Sequence, residues 1–111
     1  MNIQIQRQGA ITVVRPDGPL VEADANQLKQ QLIDHSTANL GRVVLDMEQI
    51  VFIDSRGLEV LMEVTEEMQN SGQVLKICAA NKTVREVLEL TDLSNNFEHF
   101  EDVNSAGRSF L

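Results

Sequence analysis

The chain contains no tryptophan, no tyrosine and only one cysteine among its 111 residues. With aromatics at 4% against 42% hydrophobic residues overall, any core must be packed from aliphatic side chains. The lone Cys78 has no partner for an internal disulfide, which points to a reducing cytoplasm. Basic residues are scarce, nine against seventeen acidic, for a formal net charge of −8. That balance argues against nucleic acid and anionic membrane, both of which are bound through cationic patches, and favours a protein partner with a basic surface. No apolar run approaches the roughly 20 residues that cross a bilayer. The segment Met1-Asn2-Ile3-Gln4-Ile5-Gln6-Arg7 has neither the basic start nor the apolar block of a signal peptide. Repeats, linkers and low-complexity stretches are also missing, so residues 1–111 read as one domain able to fold on its own core.

What the chain does have is alternation between two hydrophobic periods. Ile3 and Ile5, then Ile11 and Val13, sit at alternate positions on either side of Gln8-Gly9, the pattern of a β-hairpin. Pro16-Asp17-Gly18-Pro19 supplies turn chemistry. Val21, Ala25, Leu28 and Leu32 form the stripe of an amphipathic helix, with Asp24 and Gln27 placed to cap its start. Arg42-Val43-Val44-Leu45-Asp46-Met47 carries a short apolar run suited to a strand covered on both faces, and Val51-Phe52-Ile53 continues or accompanies it. A second helix over about 57–70 puts Leu58, Leu61, Val64 and Met68 on one face and Glu59, Glu63, Glu66 and Glu67 mostly away from it. Residues 73–78 alternate as another strand. Thr83 and Glu86 form a capping box ahead of Val84, Val87 and Leu88 on a third helix. Phe97 and Phe100 suggest a short last strand, followed by a weak terminal helix. The expected class is therefore α/β, with a mixed sheet of four to five strands and about four helices packed on it.

Little here can carry catalysis. Cys78 reads as a small buried hydrophobe, and His35 and His99 lack ligand spacing, so no metal or cofactor set emerges. An enzyme using Asp54 and Ser55 would need a base beside the serine, and neither histidine is placed to reach it. The segment that stands out is Val51-Phe52-Ile53-Asp54-Ser55-Arg56-Gly57-Leu58, where apolar residues run through a short polar turn straight into a helix. Free N–H groups and the helix dipole favour a negative group there. Ser55 reads as the cap, with Asp54 assisting. Arg56 is a cation in the first helical turn, against the dipole, which suggests a contact outside the fold.

This stretch and its surroundings resemble the STAS domain family, and within it the single-domain bacterial anti-sigma factor antagonists. Gly18-Pro19-Leu20 is similar to the family's Gly-x-Leu turn. Val43-Val44-Leu45-Asp46 together with residues 51–58 resembles its central strand and Asp-Ser-Ser-Gly-Leu loop, and residues 81–93 look like its third helix. The resemblance implies a non-enzymatic module that binds an anti-sigma factor, often a serine kinase of the histidine-kinase-like ATPase type, and so releases sigma. It implies a partner-binding loop of Asp54, Ser55, Arg56, Gly57 and Leu58. It also implies a phosphorylation switch at the second loop serine, the position held here by Arg56. Ser55 is then the one possible phosphoacceptor of the loop, and Val21 stands where the family often has an aspartate. The expectation is a cytoplasmic monomer or weak dimer that binds its anti-sigma factor without the usual switch. The alternative within the same fold is an accessory subunit on an ABC-transporter ATPase in lipid transport.

Overall fold

The computed structural model describes residues 1–111. Five strands form one sheet in chain order, β1 (Asn2–Gln8), β2 (Ile11–Asp17), β3 (Val43–Asp46), β4 (Lys76–Cys78) and β5 (Glu98–Phe100). The hairpin pair β1/β2 is antiparallel and the remaining pairs are parallel, so the sheet is mixed. The helices are α1 (Glu22–Ala38), α2 (Ser55–Asn70), α3 (Lys82–Leu90) and α4 (Val103–Arg108). Parallel neighbours need a crossover between them. α1, α2 and α3 supply three of these, each long enough to lay an apolar stripe on the sheet.

The two faces of the sheet are covered unequally. On one, Leu28 and Leu32 of α1, Leu61 and Val64 of α2, and Val84 and Leu88 of α3 pack with Val14, Leu45 and Ile77 in a single cluster. On the other, α4 brings Ala106 onto Ile11, Val13, Val44 and Cys78. β3 is therefore buried at all four positions: Val43, Val44 and Leu45 are covered on both faces, and the carboxylate of Asp46 is paired with Arg15 Nε at 2.7 Å. Burial, with Asp46 as the next influence, pushes the Cys78 thiol up to about 12, which holds it neutral and unreactive.

Several local expectations are corrected. Val51-Phe52-Ile53 is not a strand. After Asp46 the chain leaves the sheet, with Met47 N–H donating to the Cys78 carbonyl and Ile50 N–H to the Met47 carbonyl, and only Ile53 regains a bridge, parallel to Leu20. Residues 73–75 likewise stay outside β4. α1 begins at Glu22 rather than Asp24, and Asp24 takes the N-terminal ammonium at 3.1 Å instead of capping. α3 is capped by Asn81, whose side chain accepts from Val84 N–H at 2.8 Å, so Thr83 is a helix residue and no capping box forms. The buried face of α2 is Gly57, Val60, Leu61, Val64, Thr65 and Met68. That face is rotated from the expected stripe, and Leu58 lies half-buried at its margin.

Candidate functional site

The turn into α2 is built around Asp54. Its backbone is extended (φ −92°, ψ −175°), the conformation of a helix N-cap, and its Oδ1 accepts from Gly57 N–H at 2.8 Å. Asp54, not Ser55, is the cap; Ser55 is the first helical residue. The other carboxylate oxygen accepts from the N–H of Glu22 at 3.3 Å. α1 has no side-chain cap of its own, so one aspartate satisfies donors at the N-termini of two helices. Glu22 sits at φ +43°, a left-handed conformation that a non-glycine residue keeps only when its surroundings hold it. Backbone bonds complete the join: Leu20 N–H donates to the Phe52 carbonyl at 3.0 Å, and Asp54 N–H to the Leu20 carbonyl at 3.2 Å.

Loss of this carboxylate should be felt at both helix starts. Asp54→Ala is expected to cost about 1–2 kcal/mol, while Asp54→Asn, an equally good cap, keeps most of it. Urea unfolding would measure the difference. Faster amide exchange at both Gly57 and Glu22 in Asp54→Ala would show the double role, and exchange unchanged at Glu22 would contradict it.

Arg56 also has partners within the fold. Its side chain, 32% exposed, lies between α1 and α2. Nη1 lies 3.0 Å from Glu59 and 3.0 Å from Glu63, and Nε donates to Asn26 Oδ1 at 3.0 Å, with Nη2 on the same oxygen. Glu63 in turn holds Lys29 of α1 at 2.7 Å. Hydrogen bonds from Lys29 first, then Arg56, lower the Glu63 carboxyl below the ordinary glutamate range. The same pairing with Glu63 and Glu59 raises the Arg56 guanidinium. The cation at the helix start is thus matched by carboxylates one and two turns along α2. Glu63, which the spacing put on the solvent face, faces α1.

What remains open to solvent is narrow. Ser55 is exposed and its hydroxyl makes no hydrogen bond within the chain. Beside it, Val51 and Phe52 expose 57% and 49% of their surface, too much for residues spent on the core. Ser55, Leu58 and Met62 follow at i, i+3 and i+7 on α2, one helical face, with Met62 exposed and Leu58 half-buried. Gly57 is buried underneath, against the Leu20–Ile53 bridge. Of the five loop residues, Asp54, Arg56 and Gly57 make the bonds and contacts that hold the turn. Ser55 is exposed, Asp54, Arg56 and Leu58 are half-buried, and Gly57 is buried. Val51, Phe52 and Met62 were missed as surface residues because a hydrophobic side chain in a sequence carries no mark of exposure.

A comparison with known families decides where this architecture belongs. The STAS domain matches residues 2–106. The chain belongs to the STAS domain family. BtrV of Bordetella bronchiseptica, which carries the name of an anti-sigma factor antagonist, is 26% identical over 110 residues, covering 99% of this chain and 95% of that protein. Among solved structures, TM1081 of Thermotoga maritima superposes with a TM-score of 0.86 at 19% identity, over 96% of this chain and 92% of the other. The anti-sigma factor antagonist SpoIIAA in its unphosphorylated form gives 0.79 at 16% identity, over 98% and 96%. These likenesses share the fold of the STAS domain, in which the turn at Asp54 lies between β3 and α2. The family is one of regulatory, non-enzymatic domains, and no helix of this member is long and apolar enough to cross a membrane.

Proposed function

We propose that this STAS domain is an anti-sigma factor antagonist: a cytoplasmic single-domain protein, residues 1–111, that binds an anti-sigma factor and so frees sigma. The observation that supports the reading is the exposed apolar lip of Val51 and Phe52 next to the free Ser55 hydroxyl and the Leu58/Met62 face of α2. An apolar centre with a polar rim is the composition of a protein-docking patch. The excess of negative charge would steer a basic partner surface toward it.

At the position where the family resemblance implies the phosphoacceptor, Arg56 is already bound to Glu59, Glu63 and Asn26. It offers no hydroxyl, and binding is proposed to be constitutive. The partner best suited is an anti-sigma factor of the serine-kinase ATPase type whose surface carries basic residues. Incubated with such a partner from the same host and ATP, the protein should stay bound and unmodified. Phe52→Asp should weaken binding by roughly tenfold or more, as loss of a central aromatic contact does, with no change in melting temperature. Stoichiometric phosphate on Ser55 together with release of the partner would overturn the constitutive reading. Unchanged affinity in Phe52→Asp would overturn the docking surface.

A further inference from the structure

The free edge of the sheet supports a separate inference. β1 has β2 as its only sheet neighbour, and its seven residues run in unbroken register, without a bulge, from Asn2↔Asp17 to Gln8↔Ile11. Antiparallel pairs alternate between those that exchange two backbone bonds and those that exchange none. Pro16, opposite Ile3, has no N–H to give, which makes Ile3↔Pro16 a pair without ladder bonds. By alternation Ile5↔Val14 and Arg7↔Thr12 are the same. Thr12 agrees, since its N–H donates away from β1, to the Arg42 carbonyl at 2.9 Å. The N–H and C=O groups of Ile3, Ile5 and Arg7 therefore point out along the open edge.

Natural edges are usually blunted by lysine, proline or a bulge. The sequence Asn2-Ile3-Gln4-Ile5-Gln6-Arg7-Gln8 has none of these and a single charge. It is also self-complementary. Laid antiparallel on a second copy with Ile5 opposite Ile5, the outward groups meet one another throughout. Ile3 pairs with Arg7 of the other copy, Ile5 with Ile5 and Arg7 with Ile3, each pair exchanging two bonds. On one face the Ile5 side chains, 39% exposed in the single chain, cover each other, and Arg7 falls opposite an isoleucine rather than another arginine. On the other face Gln4 meets Gln6 and Asn2 meets Gln8. Shifting the register by two residues drops one of the three bonded pairs, and shifting it by one brings outward groups opposite inward ones.

We propose that β1 is a homodimerisation edge, joining two copies into a continuous ten-stranded sheet with Ile5 on the two-fold axis. α2 and the lip at Val51 and Phe52 are not part of this edge, so the dimer would carry two partner surfaces.

Sedimentation of the full chain over a concentration series reaching the millimolar range tests this. The wild type should move from monomer to dimer. Ile5→Lys and Ile5→Glu each place like charges face to face and should weaken self-association by roughly tenfold or more. An equal mixture of the two should recover a heterodimer, because opposite charges then meet. Ile5→Pro removes an outward N–H that β2 does not use and should leave only monomer while circular dichroism stays unchanged. A wild type that remains monomeric throughout would overturn the proposal. So would a dimer that persists unweakened in Ile5→Lys, since its interface must then lie elsewhere.

Discussion

Leu61→Ala should destabilise the protein by about 2–5 kcal/mol, the range for removing a buried leucine whose neighbours cannot collapse into the space. Leu61 has no exposed surface and belongs to the cluster shared by α1, α2, α3 and the sheet. Backbone on several sides limits relaxation, because β2 and β3 form the floor of that cluster and are held in parallel register. Against a total of about 5–15 kcal/mol for a domain, such a loss consumes a large part of the margin. The measurement is urea or thermal unfolding with the m-value compared to wild type. A cost below about 1 kcal/mol would mean that the side chain is not enclosed as described.

The second large effect is expected at Gly57, and its sign is the informative part. Within an exposed helix, glycine to alanine stabilises by about 1 kcal/mol. Here a Cβ on residue 57 would meet the Leu20 carbonyl oxygen at 2.5 Å and Ile53 Cγ2 at 2.6 Å. The oxygen cannot step aside, since it accepts the Asp54 N–H in the bridge that joins the two helix starts. α2 would have to lift off that bridge, and overpacking of this kind costs about 1–3 kcal/mol. The lift also strains the 2.8 Å bond from Gly57 N–H to Asp54. Gly57→Ala is therefore expected to lower the melting temperature and also to weaken partner binding, because Ser55 and Leu58 move with the first turn. A variant more stable than wild type would refute the close approach.

Both effects bear on why the site was partly legible in the sequence. The turn at residues 54–58 was marked by type, a polar Asp-Ser-Arg-Gly at a switch from apolar run to helical period. Its cap was not, since Ser55 reads as a cap as well as Asp54 does. The leading hairpin, though with its turn at Gly9-Ala10 rather than Gln8-Gly9, and the stripes of α1 and α3 were legible for a related reason, that a repeat of two or of 3.6 is written within a handful of neighbouring residues. The phase of α2 was less legible, because Gly57, Thr65 and Leu58 carry weak or misleading hydrophobic signals, and the phase depends on which of them meets the sheet.

The sequence by itself thus determined the α/β class, the mixed sheet with a leading hairpin, an aliphatic core, and a special turn at residues 54–58. It also determined that position 56 cannot accept a phosphate. Tertiary structure alone decided that Asp54 serves two helix N-termini, since its second partner, Glu22, is 32 residues away. It decided that Arg56 is paired with Glu63 and hydrogen-bonded to Asn26 of α1, 30 residues away. It buried Lys76 of β4 under the C-terminal segment, its ammonium 4.1 Å from the centre of the Phe110 ring and 2.7 Å from Ser109, where a strand pattern shows only an interrupting charge. It also left Val51 and Phe52 exposed where an apolar run had suggested a buried strand. The physical reason is common to all four. Periodicity and capping are short-range, fixed by sterics and hydrogen bonds over one or two turns. Pairing, charge neutralisation and exposure depend on which distant segment arrives alongside, and that is settled only when the crossovers lay the helices on the sheet.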